Sequence, residues 1–136
     1  MAEKISLRVV TPSRLVLEEQ VDELTAPGPL GQLGILPDHA ALMTTLEIGQ
    51  LSYKQPASTG VIAVTGGYAE VLNNVVTVLA NAAEFPHEID TDRAEDARSK
   101  AEETLIQSHP HSEEEVAQAR ASLRRALVRL ETAGRR

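Results

Sequence analysis

The chain has no cysteine and no tryptophan, which excludes disulfide scaffolds, thiolate metal sites and cysteine redox chemistry. Aromatic residues make up 2% of it, namely Tyr53, Tyr68 and Phe85. The core therefore has to be built from Val, Leu, Ile and Ala, and stacking platforms for single-stranded nucleic acid are missing. Positive charge is scarce as well: 13 basic residues stand against 20 acidic ones, a net charge of -7. Broad affinity for polyanions is excluded on that balance, and nucleic acid is not an expected partner. No apolar run approaches the roughly 18 residues of a membrane helix, and Met1-Ala2-Glu3-Lys4 lacks an apolar signal core. The expectation is a soluble chain that docks on a membrane complex without direct insertion.

What is present falls into two unlike parts. Ile5, Leu7 and Val9 alternate with Ser6, Arg8 and Val10 before Thr11-Pro12-Ser13, the period of two that a half-buried strand requires. Short runs of similar character follow at 15–18, 21–26, 32–36, 41–46, 49–53, 61–65, 68–72 and 75–79. Pro27-Gly28-Pro29, Pro37-Asp38, Gly66-Gly67 and Asn73-Asn74 punctuate them with the backbone angles that turns demand. Many short strands with regular turns predict an all-β sandwich or barrel over residues 1–86, and Asn73-Asn74 predicts a hairpin turn.

Phe85-Pro86-His87 ends that pattern, and residues 87–136 form the second domain. Ala94, Ala97, Ala101 and Leu105 fall on one helix face, with Asp90 as N-cap. After a break at Ser108-His109-Pro110-His111, Ser112 and Glu115 form a capping-box signature. A second stripe follows at Val116, Ala119, Leu123, Ala126, Leu127 and Leu130. Small residues allow close approach, so the prediction is a helical hairpin. A buried alanine methyl is worth only about 0.8 kcal/mol, so this hairpin is weakly held and is a candidate switch.

Several constellations invite chemistry. Gly28, Gly31 and Gly34 recur every third residue, but a phosphate-cradling loop has to enter a helix and Ile35-Leu36-Pro37 follow instead, so the segment reads as a turn. Asp38-His39 resembles part of a charge relay, yet neighbouring residues point to opposite sides of a strand, and His39 reads as a loop histidine at a subunit contact. His109 and His111 flank a proline with no third ligand at fixed spacing, so no metal site is expected. The basic residues are more informative. Arg120, Arg124, Arg125 and Arg129 lie in a stretch, 116–130, with no acid at all, and Arg93 opens the preceding helix. Three readings fit: a solvated face paired with Asp92, Asp96, Glu102 and Glu103; a site where arginines converge on a triphosphate; or contact with an acidic protein surface.

Gly31-Gln32-Leu33-Gly34-Ile35-Leu36-Pro37-Asp38-His39-Ala40, Gly66-Gly67-Tyr68-Ala69-Glu70-Val71 and Val75-Val76-Thr77-Val78-Leu79-Ala80 resemble the signature blocks of the epsilon subunit of F-type ATP synthases. The resemblance covers nearly the whole chain. It implies an α+β fold, with an N-terminal ten-stranded β-sandwich followed by a C-terminal two-helix antiparallel hairpin. It further implies a non-catalytic rotor subunit of the central stalk that couples proton-driven rotation to ATP synthesis. The hairpin would restrain ATP hydrolysis. The implied partners are the gamma subunit, the c-ring and, with the hairpin extended, the alpha/beta catalytic head. The implied location is the cytoplasmic face of the bacterial inner membrane, or the stromal face of a plastid thylakoid. No cofactor is required, and ATP is the expected regulatory ligand. Ile89-Asp90-Thr91-Asp92-Arg93-Ala94 is similar to the nucleotide-binding motif of some members. By that likeness Glu84, Ile89, Asp90 and Ala94 would surround base and sugar, and Arg93, Arg125 and Arg129 would face phosphates. Lys100 stands where those members carry arginine, and Pro86-His87 is a second departure. Gln32 and His39 match loops that touch the c-ring and gamma. Two other functions compete with this one: an autonomous ATP-sensing module built on the arginines, and an enzyme using Asp38 and His39.

Overall fold

The computed structural model describes residues 3–107 and 111–135. Met1, Ala2, Arg136 and the first three residues of the predicted Ser108-His109-Pro110-His111 break lie outside the described residues. Among the described residues eight strands come first: β1 (Ile5–Val10), β2 (Leu15–Val21), β3 (Glu23–Gly28), β4 (Gly31–Ile35), β5 (Leu42–Gln55), β6 (Ser58–Leu72), β7 (Val75–Ala80) and the short β8 (Ala83–Glu84). A 3-10 turn, Pro86–Glu88, then leads to α1 (Thr91–Ile106) and α2 (Glu113–Ala133).

The two long strands carry the architecture. β5 and β6 pair over their whole length except at Glu47 and Gly66, which the ladder skips between the Leu46–Gly67 and Ile48–Thr65 pairs. On one side of this break β6 pairs with β7, and β7 pairs in parallel with β1, which pairs with β2. On the other side β5 pairs with β3, β3 with β4, and β6 with β8. Counting the halves of β5 and β6 separately turns eight strands into ten, five in each layer of a sandwich.

Inward-facing parity switches at the same place. Leu46 is buried before the break and Leu51 and Tyr53 after it; along β6, Ile62 and Val64 give way to Ala69 and Val71. A strand that skips one position in its ladder turns the opposite set of side chains inward, so the chain passes from one layer to the other without losing its core face. The break demands glycine. Gly66 and Gly67 have φ of 96° and 134°, and a Cβ on Gly67 would lie 2.1 Å from the Leu79 carbonyl oxygen. At the other end of β6, Asn73 and Asn74 close the predicted hairpin with φ of 50° and 62°.

All eight strands contribute to one core, which includes Ile5, Leu17, Leu24, Ile35, Leu51, Val64, Val78 and Ala83, and no buried member of it lies beyond residue 83. The helices add a separate, smaller cluster of Ala63, Ile89, Val128 and Ala133 with Ile48 against it. α2 follows its predicted stripe only in part. Ala119 and Ala126 are buried, but Leu127 is 47% exposed and Val128 is 7% exposed. Beyond residue 126 the helix has a second neighbour, the sheet, and the face it turns there is set by packing outside the helical pair, which one stripe of period 3.6 does not encode. The strand bounds differ as well: the runs at 41–46 and 49–53 are one strand, as are those at 61–65 and 68–72. Val21 closes β2 instead of opening the next strand, and β8 was not predicted because two residues show no alternation.

Candidate functional site

The linker between sandwich and hairpin is fixed from the turn between β1 and β2. Arg14 sends Nη1 to Glu88 Oε2 at 2.8 Å and Nη2 to Glu88 Oε1 at 2.9 Å. Glu88 also accepts the backbone N–H of Phe85 at 2.9 Å. The hydrogen bond from the Arg14 guanidinium holds the Glu88 carboxyl below its ordinary range, against the opposing effect of burial, and the Phe85 amide adds to the lowering. Ile89 then enters the cluster under the helices, 3% exposed. Asp90 caps α1, its carboxylate accepting the Arg93 backbone N–H at 3.1 Å. Ser112 caps α2 in the same way through the Glu115 N–H at 3.1 Å.

Alanines at 94 and 97 on α1 and at 126 on α2, with Ser122, keep the two helices close and leave a cleft of about 380 Å³ where they meet β8 and the 3-10 turn. Glu84, Glu88, Asp90, Arg93, Ala94, Arg125 and Arg129 line it. Of the predicted nucleotide residues, six (Glu84, Asp90, Arg93, Ala94, Arg125 and Arg129) come together in this one cleft. Ile89 does not line it; it packs beneath. Arg129 Nε donates to Glu84 Oε1 at 2.6 Å, and Arg125 Nη2 donates to Ser122 Oγ at 3.0 Å. Glu88 is committed to Arg14 and Asp90 to the cap, so the acids in the cleft are occupied. Among the described residues, Arg93 and Arg125 have no acidic partner.

That arrangement overturns the reading in which the α2 arginines pair with acids of α1. Glu102 and Glu95 both pair with Arg98 on their own helix, and no α2 arginine meets an α1 acid among the described residues. Arg120 and Arg124 are exposed on another side of α2, and Arg124 Nε reaches the Ile48 carbonyl at 3.3 Å. Lys100 lines a neighbouring groove that shares Ala97 and Ser122 with the cleft. Pro86 and His87 form the 3-10 turn, where the His87 ring stacks on Phe85 at 5.7 Å.

The other predicted residues lie elsewhere. Gln32 is exposed on β4, paired in register with Pro27. In place of a phosphate loop, the glycines at 28, 31 and 34 belong to the β3–β4 hairpin. Asp38 has φ of 65°, and its Oδ1 accepts from Asn74 Nδ2 at 3.2 Å. His39 Nδ1 lies 2.7 Å from the Ala40 carbonyl. Asp38 and His39 turn to different partners, and the charge relay does not form. His109 lies outside the described residues, and His111 Nδ1 sits 3.0 Å from Glu115 Oε2. The hydrogen bond from His111 holds the Glu115 carboxyl below its ordinary range.

The sequence reading missed an apolar row on the outer face. Val10, Leu79 and Tyr68 are paired in register across β1, β7 and β6, with Leu15 beside Val10 on β2. Leu15, Leu79 and Tyr68 are 48%, 54% and 58% exposed. The helices cover the outward side of β5 and β6 around Ile48 and Ala63, on the far side of the break from this row. No helix among the described residues is long and apolar enough to cross a membrane.

Comparison with known proteins agrees with this layout. Residues 4–86 match the family model described as ATP synthase, Delta/Epsilon chain, beta-sandwich domain. Residues 87–134 match that of the ATP synthase, Delta/Epsilon chain, long alpha-helix domain. The chain is 46% identical over 135 residues to the ATP synthase epsilon chain of Geotalea daltonii, covering 99% of this chain and 97% of that one. It is 45% identical over 133 residues to the epsilon chain of Syntrophobacter fumaroxidans, covering 98% of each. Among solved structures, a chain of the Euglena gracilis mitochondrial ATP synthase OSCP/F1/c-ring assembly shares the fold. Its TM-score is 0.80 at 23% identity, with 96% of this chain and 81% of that one covered.

Proposed function

Since the chain belongs to the family of ATP synthase epsilon chains, subunits of the central stalk, we propose that it is a non-catalytic rotor subunit whose helical hairpin restrains ATP hydrolysis and whose cleft takes ATP. The sandwich is the part that joins the rotor. Its bare row of Leu15, Leu79 and Tyr68 suits an apolar face of gamma, while Gln32, exposed on β4, and the half-buried His39, in the loop before β5, suit the c-ring and gamma. When the hairpin extends, the alpha/beta head becomes its partner. The location that follows is the membrane face that carries the head: the cytoplasmic face in a bacterium, or the stromal face in a plastid.

One observation carries this reading. The platform closes its own core without the helices, while the helices hold on through a small apolar patch and a few polar contacts: Gln50 Nε2 to Thr132 Oγ1 at 2.9 Å, Arg124 to the Ile48 carbonyl and Arg129 to Glu84. A part docked this lightly changes place for a few kcal/mol. The cleft supplies the ligand that biases it. Arg93 on α1 and Arg125 and Arg129 on α2 would take the phosphates from opposite sides and tie the helices together. Glu84, Asp90 and Ala94 would take base and sugar, with Ile89 beneath.

Calorimetry of the intact chain with ATP and magnesium tests the ligand. Wild type is expected to bind, and Arg93→Ala to bind about tenfold or more weakly, the loss of one charge-assisted contact. No heat with wild type would remove ATP from the account. Tight binding with no effect of the hairpin on the assembled enzyme would favour the autonomous sensor.

A further inference from the structure

We infer that Glu84 is a built-in counter-anion for Arg129, which an incoming polyphosphate has to displace; the inference rests on the reading of the cleft as a nucleotide site. Arg129 Nε lies 2.6 Å from Glu84 Oε1, and each side chain is only 29% exposed, so water screens the pair incompletely. Glu84 cannot follow α2 if the helix moves, because β8 is held to β6 by the Ala63–Glu84 and Val64–Ala83 pairs. Among the described residues, no other acid in the cleft shares its role. Glu88 is committed to Arg14 and the Phe85 amide, and Asp90 to the start of α1.

The three guanidiniums of the cleft are therefore unequal. Arg93 and Arg125 have no acidic partner among the described residues and are ready for an anion, whereas the charge of Arg129 is already cancelled. A polyphosphate that engages all three has to take Arg129 from Glu84, and it then lies beside a carboxylate that has lost its partner. Either effect opposes binding of the anion. Release of Arg129 also removes a tie between α2 and the sheet while the ligand creates one between α1 and α2. Filling the cleft thus strengthens the hairpin as a unit without strengthening its seat on the sandwich.

Inorganic triphosphate isolates this effect, since it has no base or sugar for Glu84 to contact. Titration of the intact chain by calorimetry is expected to show Glu84→Gln binding triphosphate roughly three- to tenfold more tightly than wild type, the fold-change of one partly screened ion pair. A gain of affinity cannot arise from misfolding. In an Arg129→Gln background the Glu84→Gln gain is expected to fall, keeping only the part owed to repulsion between the carboxylate and the phosphates. Unchanged or weaker triphosphate binding by Glu84→Gln, or the same gain in the Arg129→Gln background, overturns the inference while ATP binding by wild type keeps the nucleotide reading. A wild-type chain that binds neither ATP nor triphosphate removes both.

Discussion

A chain lacking residues 88–136 is expected to keep its sandwich, to join the stalk, and to raise ATP hydrolysis by the assembled complex about fivefold or more, the effect of abolishing a coupling of 1 to 3 kcal/mol. The structural half of this expectation follows from the core. Every buried member of the main cluster precedes the cut, and Ala63 and Ile48 lose their apolar cover on the sheet. Arg14 loses Glu88 but keeps the Ala83 carbonyl at 3.4 Å. Circular dichroism of the shortened chain checks the fold, and steady-state hydrolysis of the reconstituted complex checks the release. Hydrolysis equal to that of the full-length complex would show that the hairpin is no brake.

The second large effect concerns docking. Leu79→Glu is expected to weaken assembly with gamma by roughly a hundredfold or more, because an unpaired charge buried in an apolar contact costs several kcal/mol. The isolated chain is expected to tolerate the change, since Leu79 is 54% exposed and points away from the core. Its neighbour in the row, Tyr68, at 58% exposure, is expected to behave likewise when replaced by glutamate. Copurification of gamma with the variants measures this. Undiminished assembly with both would place the rotor contact on another face.

Legibility in the sequence followed the range of the interaction that set each feature. The Asn73-Asn74 turn, the alternation of β1, and the caps at Asp90 and Ser112 are local, spanning four residues or so, and each was readable from its own segment. The break in β5 and β6 was half readable. The glycines at 66 and 67 marked it, but the two runs on each side read as separate strands, because the switch of inward parity looks like a turn until the partner strand is known. Val128 against Ile48 and Ala63 was not readable, and neither were the Arg14–Glu88 and Arg129–Glu84 pairs. The two ion pairs span 45 and 74 positions, and a charged residue carries no local mark of the partner it will meet.

The candidate cleft shows both sides of that limit. Its motif from Ile89 to Ala94 is contiguous and pointed to the start of α1, and the four-residue spacing of Arg125 and Arg129 placed them on one face. That this face turns toward Arg93 depends on the alanine packing between the helices. That Arg129 is already occupied depends on β8, a strand too short to predict.

The account depends on the hairpin leaving its seat, and tethering it tests this most directly. The chain has no cysteine, so Gln50→Cys with Thr132→Cys, at a contact between sheet and α2, gives a unique pair of thiols that a short bifunctional reagent can join. Complexes carrying the joined subunit are expected to hydrolyse ATP as fast as those with the hairpin deleted, and cleavage of the tether is expected to restore the restraint. Restraint that persists undiminished while the tether is intact would contradict a brake that works by undocking.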